Sequence, residues 1–148
     1  MPHILVQDPI DVLYVQGRVR DLAGDVGFDR MTCQELAIVA SELASNILKY
    51  GKRGDMHVEF MKREGELYLE IVATDCGPPF RDLDSALKDG WDDEGPIDPV
   101  KLLKRKGIGG GLGAVVRLTD VFTVENLPSG KKVIVRRYLN RPRKRFNF

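Results

Sequence analysis

A chain of 148 residues with 23 basic and 22 acidic side chains, and a net charge of +1, is long enough to bury the core of one domain. It has no run of about 18 apolar residues, which excludes a membrane-spanning helix. Its two cysteines, Cys33 and Cys76, are too few for a disulfide scaffold, and with two histidines they make a poor structural zinc site. The N-terminus lacks the basic and apolar regions of a signal peptide, so we expect a cytoplasmic protein.

The first part of the chain predicts an edge strand followed by a helix. Residues Ile4–Val6 form a short apolar stretch between Pro2 and a polar turn, which suits the edge of a sheet. Asp8 then provides an N-cap and Pro9 a first helical residue. We expect this helix to end at the glycines of residues 24–27.

Residues 32–51 predict a second helix with both ends marked. Thr32 and Glu35 have the spacing of a capping box, and Gly51 stands where a helix often ends in a left-handed residue. Apolar side chains recur at intervals of three and four and define one buried face: Leu36, Val39, Ala40, Leu43 and Ile47.

A carboxylate and an amide stand off that face. Glu42 and Asn46 are four residues apart, so their side chains point the same way about one turn from each other. Asn is a mediocre residue in a helix interior, because its side chain competes for backbone hydrogen bonds. The pair is either a solvated polar face or part of a site, and two glycine-containing segments further along the chain favour a site.

The middle of the chain predicts a hairpin that ends in a turn. Residues 56–62 and 66–74 are two strand candidates, and the short link between them favours a hairpin. The segment D-C-G-P-P-F, residues 75–80, contains a glycine and two prolines and cannot continue a strand or a helix. We therefore expect a turn where the second strand ends.

The following region predicts short elements around a glycine-rich loop. Brief helices are expected at residues 82–88 and 99–106, separated by a polar loop that contains Trp91. The segment G-I-G-G-G-L-G, residues 107–113, then leads into an apolar helix at residues 114–118.

Two further strands complete the prediction. Residues 121–125 and 133–139 are strand candidates joined by L-P-S-G. Hairpins separated from helices favour an α+β fold, a two-layer α/β sandwich with a mixed sheet. We expect a single domain over residues 1–140, followed by a basic tail over residues 141–148.

The glycine-rich loop needs a chemical reason, because five glycines in seven residues cost backbone entropy. Such a loop lets several backbone N–H groups face one anion, so phosphate binding is the functional interpretation and a flexible surface loop the alternative. It is not a Walker A loop, since Ala114 and Val115 stand where a lysine and a hydroxyl residue would follow. The segment before it is not a buried strand, which disfavours a Rossmann site.

Three segments in this order resemble a known family. E-L-A-S-N, residues 42–46, resembles the N box of the Bergerat-fold (GHKL) ATPases, D-C-G-P-P-F their first glycine box and G-I-G-G-G-L-G their second. Within that superfamily the chain is most similar to the small bacterial anti-sigma-factor serine kinases and stressosome switch kinases. The resemblance covers nearly the whole chain and implies the Bergerat ATP-binding fold.

The resemblance implies a role for each matching residue. Glu42 would be the general base that accepts the proton of an attacking hydroxyl group. Asn46 would bind the Mg²⁺ that bridges the ATP phosphates. Asp75 would accept a hydrogen bond from the adenine amine, and Gly77 would let the base approach the backbone.

The same resemblance makes residues 107–113 the phosphate cradle and residues 80–106 the lid over the nucleotide. The cradle comprises Gly107, Gly109, Gly110, Gly111, Leu112 and Gly113. Two positions depart from the family pattern. Pro79 stands where a second glycine is common, and Lys131 stands near a position often held by threonine, close to the adenine.

The family also implies an activity and partners. We expect a Mg²⁺·ATP-dependent protein serine/threonine kinase that regulates a sigma factor by phosphorylating a STAS-type anti-anti-sigma or scaffold protein. A sigma factor and a PP2C-type phosphatase are further candidate partners, a homodimer is compatible with the family, and no membrane partner is expected.

Two other functions are compatible with the sequence. The first is a non-catalytic module that binds a sigma factor, a STAS protein or a phosphatase, with ATP as a structural ligand or absent; Pro79 and Lys131 favour it. The second is nucleic-acid binding by the segment after position 130, which has eight basic and no acidic residues. A solvated chain end explains that charge more simply.

Overall fold

In the computed structural model the described residues are 3–50, 53–77, 91–92, 95–96 and 111–141. They contain three helices, α1 (Pro9–Val26), α2 (Arg30–Tyr50) and α3 (Leu112–Arg117). They also contain seven strands: β1 (Ile4–Val6), β2 (Gly54–Arg63), β3 (Glu66–Asp75), β4 (Trp91–Asp92), β5 (Gly95–Pro96), β6 (Val121–Leu127) and β7 (Gly130–Tyr138).

Five strands form the central sheet in the order β1-β2-β3-β7-β6, and the short β4 and β5 pair with each other. The α+β fold class is confirmed, with β1 at an edge as predicted. The sheet is not mixed, however, because all four of its pairings in the described chain are antiparallel. β6 runs in the same direction as β3, but β7 folds back between them and pairs with both, so no parallel pair forms.

The core lies between the sheet and the helices. Alternate residues of β3 and β7 are buried and belong to this core, as expected for a sheet with one covered face. These residues are Leu69, Ile71 and Ala73 of β3, and Val133 and Val135 of β7. The helices contribute the apolar face predicted for α2, together with Val15, Val19 and Ala23 of α1.

Helix α1 begins and ends as its sequence predicts. Asp8 is extended at the N-cap and Pro9 is the first helical residue. The Asp11 carboxylate accepts hydrogen bonds from the backbone N–H groups of Gln7 and Asp8, which lowers its pKa. Gly27, with φ of 109°, ends the helix in the left-handed conformation that glycine adopts without steric cost.

Helix α2 begins earlier than predicted, at Arg30. Asp29 precedes it and accepts a hydrogen bond from the N–H of Thr32 at 2.7 Å, as an N-cap does. The predicted capping box of Thr32 and Glu35 is therefore wrong, because Asp29 already caps this turn and Thr32 lies inside it. The predicted C-terminal residue Gly51 lies outside the described residues.

The remaining predicted elements are confirmed where the structure describes them. Both hairpins form, and α3 begins two residues before the predicted position. The short helices predicted at residues 82–88 and 99–106 lie outside the described residues, and β4 and β5 occupy part of the predicted polar loop. In the described part of the chain, none of the helices has the length and apolarity needed to cross a bilayer.

Candidate functional site

The predicted site residues of α2 and β3 lie towards one end of the molecule. At this end of the sheet Gly54 of β2, Asp75 of β3 and Lys131 of β7 lie side by side in register. We call this end of the sheet, where these three residues lie, the site end. Helix α2 finishes here, since Tyr50 is close in sequence to the first residue of β2.

Helix α2 runs from the opposite end of the sheet to the site end. Near its start, Glu35 lies 3.7 Å from the guanidinium of Arg137, at the far end of β7. Glu42 and Asn46 are therefore in the half of α2 that approaches the site end. The helix contacts both β3 and α3, the helix that follows the glycine-rich loop.

The Glu42 side chain is held inside the structure. Glu42 is 5% exposed, whereas Asn46, one turn later, is half-buried. A carboxylate is rarely buried to this degree unless it has partners or a chemical task. The solvated polar face considered for this pair is therefore wrong for Glu42, and the arrangement offers a fixed proton acceptor beside a more accessible amide.

Asp75 ends β3 on the face that the helices cover. Its Oδ1 accepts a hydrogen bond from the N–H of Gly77 at 2.9 Å. This bond closes the turn predicted at the end of the strand, because an aspartate side chain often caps the backbone two residues on. The structure thus brings together two residues that were assigned to the adenine side of the site.

Lys131 is the partner of Asp75 that sequence reasoning missed. Its Nζ lies 3.2 Å from Oδ1 and 3.1 Å from Oδ2 of that carboxylate, and the two side chains are 3% and 7% exposed. The sequence singled out Lys131 as a departure from the family but could not pair it with Asp75. The signal would have been the register of β3 against β7, which places the two residues directly opposite each other.

Two glycines allow the backbone to close around this pair. A Cβ atom on Gly130 would lie 1.9 Å from the carbonyl oxygen of Asp75, and one on Gly54 would lie 2.1 Å from that of Thr74. Such distances are far inside van der Waals contact, so only glycine fits at either position. The neighbouring strands therefore hold the end of β3 from both sides.

The glycine-rich loop is described only from Gly111 onwards. Gly111 precedes α3 with φ of 77°, a conformation that a glycine adopts readily. Leu112 and Gly113 are buried in the first turn of the helix, so the leucine side chain contributes to the core. Gly107, Gly109 and Gly110, like Pro79 and the predicted lid, lie outside the described residues.

Two further observations bear on the chemistry of the site. Among the described residues, no group of three or more histidine, cysteine, aspartate or glutamate side chains could hold a metal ion. A site built on the single amide of Asn46 would therefore depend on ligand oxygens from the nucleotide and water, as is usual for Mg²⁺. Cys76 is exposed beside Asp75, and both cysteines are free.

Comparison with known proteins shows the family of this chain and a similar protein kinase. The profile of the histidine kinase-like ATPase domain matches residues 5–137. The serine/threonine-protein kinase RsbT of Bacillus subtilis (strain 168) is 29% identical over 117 residues, which are 79% of this chain and 80% of the relative.

A solved structure has the same fold. The crystal structure of the RsbU and RsbW domains of Rv1364c from Mycobacterium tuberculosis matches with a TM-score of 0.56 and 12% identity. The match covers 99% of this chain and 35% of the other, so this chain spans about a third of that protein. The Bergerat fold inferred from the three sequence segments is thereby confirmed.

Proposed function

The chain belongs to the histidine kinase-like ATPase domain family, and from that membership we propose that it is a Mg²⁺·ATP-dependent protein serine/threonine kinase. The observation that carries the proposal is the burial of Glu42, a carboxylate held one turn before Asn46 on a helix that ends at the site end. The relationship to RsbT, a serine/threonine-protein kinase, supports the same reaction class.

Glu42 acts as the general base in this proposal. It accepts the proton of the partner's serine or threonine hydroxyl as that oxygen bonds to the γ-phosphorus and the bond from phosphorus to the ADP oxygen breaks. Its burial excludes water, which strengthens its interaction with a donor that enters the site. Fixed placement on a helix rather than a loop keeps the carboxylate aligned with the hydroxyl.

The described residues fit an adenine nucleotide with a magnesium ion. Asn46 would hold the ion, whose role when bound is to neutralise phosphate charge. Asp75 is an acceptor for the adenine amine, and the turn to Gly77 brings backbone beside it. Gly111, with its positive φ, and the first turn of α3 end the loop assigned to the phosphates. That loop comprises Gly107, Gly109, Gly110, Gly111, Leu112 and Gly113.

The partner in this proposal is a STAS-type anti-anti-sigma or scaffold protein, phosphorylated in the cytoplasm. A sigma factor or a PP2C-type phosphatase would be a second partner, and self-association is compatible with the family.

The kinase domain is taken as residues 1–140 and the tail as residues 141–148. Arg141, the first residue of this tail, nevertheless contacts the sheet. Its Nη2 donates hydrogen bonds to the two carboxylate oxygens of Glu66 at 2.9 and 3.1 Å.

Calorimetric titration with ATP, with and without Mg²⁺ and with GTP as control, is the first test of the nucleotide site. We expect binding that needs Mg²⁺. Phosphate transfer from labelled ATP to STAS-domain proteins of the same organism then tests the reaction. Wild-type protein that binds ATP but transfers phosphate to none of them would contradict the kinase assignment.

A second candidate function is a regulatory module that binds its partner protein without phosphorylating it. The buried pair of Asp75 and Lys131 favours this reading, since the carboxylate assigned to adenine already has a cationic partner. In that case the wild-type protein would capture a STAS protein, a sigma factor or a phosphatase at equal strength with and without ATP.

A further inference from the structure

The buried ion pair at the site end has a consequence for the choice of nucleotide base. We propose that Lys131 is a specificity-determining residue of the nucleotide site: its ammonium group occupies acceptor positions of Asp75, weakens the hold of that carboxylate on the adenine amine and relaxes discrimination against guanine. This inference rests on the proposed function, because it assumes that the base lies against Asp75.

The first step of the argument is the acceptor capacity of Asp75. An ionised carboxylate has about four acceptor positions on its two oxygens. Oδ1 accepts from the N–H of Gly77 at 2.9 Å and from Nζ of Lys131 at 3.2 Å, and Oδ2 lies 3.1 Å from the same Nζ. Among the described contacts, one position on Oδ2 is left for an amine.

The second step is charge. A hydrogen bond from a neutral amine to an unpaired carboxylate is about twice as strong as one between neutral groups. In this protein the carboxylate is 7% exposed and its charge is balanced by an ammonium group that is 3% exposed. The base amine therefore meets a nearly neutral pair, and much of the gain from a charged acceptor is lost.

The third step is discrimination. A carboxylate opposite the carbonyl oxygen of guanine sets two acceptors against each other, which is how an unpaired aspartate selects adenine. A cation bonded to the same carboxylate lowers that repulsion. Lys131 therefore lowers the repulsion between Asp75 and the carbonyl oxygen of guanine, and it also weakens the hydrogen bond between Asp75 and the adenine amine.

The backbone around Lys131 limits the movement of its side chain away from Asp75. Lys131 lies directly opposite Asp75 in the register of β3 and β7. It also follows Gly130, which packs against the carbonyl of Asp75. Freeing the carboxylate would break the contacts of the ammonium group with both carboxylate oxygens, and that change would cost binding energy.

The test is calorimetric titration of the full chain with ATP, GTP and inorganic tripolyphosphate. Lys131→Thr is compared with wild type and with Lys132→Thr, which removes the same charge from the adjacent residue on the other face of β7. We expect Lys131→Thr to raise the ratio of ATP affinity to GTP affinity about tenfold, while Lys132→Thr leaves it unchanged. Tripolyphosphate has no base, so its affinity reports any general effect of the lost charge.

The outcomes separate this inference from the proposed function. An unchanged or lowered ratio in Lys131→Thr, with ATP bound by wild type, overturns the role of Lys131 and leaves the kinase proposal standing. ATP binding by neither protein overturns both. ATP binding by Lys131→Thr alone supports the inference and makes the wild-type chain a regulatory module. If circular dichroism finds Lys131→Thr unfolded, Lys131→Gln, which keeps a donor without the charge, must shift the ratio in the same direction.

Discussion

At the site end, Asp75 of β3 and Lys131 of β7 form an ion pair whose side chains are 7% and 3% exposed. At the opposite end of the same sheet, Glu66 of β3 pairs with Arg141, and these side chains are 47% and 49% exposed. Arg141 also lies over the ring of Tyr138, 3.7 Å from its centroid, and the bond to Glu66 raises the arginine pKa. One strand thus begins in a solvated pair and ends in a buried one.

The difference shows where charge costs free energy. A solvated pair contributes little to stability, because water competes for both groups. A buried pair must repay the desolvation of two ions, and often it does so only partly. The site end therefore keeps a costly arrangement of charge and close backbone contacts, whereas the opposite end could lose its charges with little effect on the fold.

The largest contrast is expected between two glycines. Gly130→Ala should destabilise the protein by about 4 kcal/mol, because the new Cβ adds a clash with the Asp75 carbonyl to an unfavourable left-handed backbone. Gly65→Ala, in the hairpin at the opposite end, meets no atom within 4 Å and should cost about 1 kcal/mol. Urea unfolding measures both values. Equal losses would mean that the site end relaxes freely.

The two ion pairs provide the next contrast. Lys131→Met should lower the free energy of unfolding by about 3 kcal/mol, since it leaves the Asp75 carboxylate buried without its cation. Arg141→Met should leave the urea midpoint unchanged within error, because Glu66 remains hydrated. A matching loss in both variants would refute the distinction between the ends.

Two glutamates on α2 extend the contrast to catalysis. Glu42→Gln should reduce phosphate transfer about 100-fold, the lower range for loss of a general base, with ATP affinity little changed. Glu35→Gln is the matched control, two turns earlier on the same helix and paired with Arg137 away from the site end. Transfer to a STAS protein is measured in single-turnover assays. Wild-type transfer by Glu42→Gln would remove the proposed role of Glu42.

The smallest expected effect concerns the two cysteine thiols. Burial and the nearby Asp29 carboxylate raise the pKa of Cys33, whereas Cys76 is exposed beside Asp75. Because the thiolate is the reactive form, Cys76 should react with a maleimide at pH 7 about tenfold faster than Cys33. Saturating ATP should slow only Cys76, which peptide mass spectrometry can follow. Protection of Cys33 instead would place the nucleotide elsewhere.

Local patterns predicted most of the fold. The helical period of Leu36, Leu43 and Ile47 defines a face of α2 that does pack in the core, and Asp8 and Gly27 do bound α1. These signals depend on residues close in sequence, so the chain carries them before it folds. The start of α2 was misplaced because two capping patterns overlap there, and only the observed hydrogen bond to Asp29 decides between them.

The arrangement of charge at the site end could not be predicted in the same way. Lys131 and Asp75 are distant in sequence, and they meet because β7 inserts between β3 and β6 in antiparallel register. The same insertion replaced the expected mixed sheet by an antiparallel one. A strand's apolar pattern specifies which face is buried but does not specify its neighbour.

The sequence by itself determined the α+β class, the order of the three described helices and the five strands of the central sheet, and the three segments by which the family is recognised. These features depend on local periodicity, turn residues and short motifs. Only the tertiary structure decided that Glu42 is buried and that Asp75 is neutralised by Lys131. Burial and ion pairing depend on which distant side chains the packing brings together, and the free energy of a charge is set by that environment.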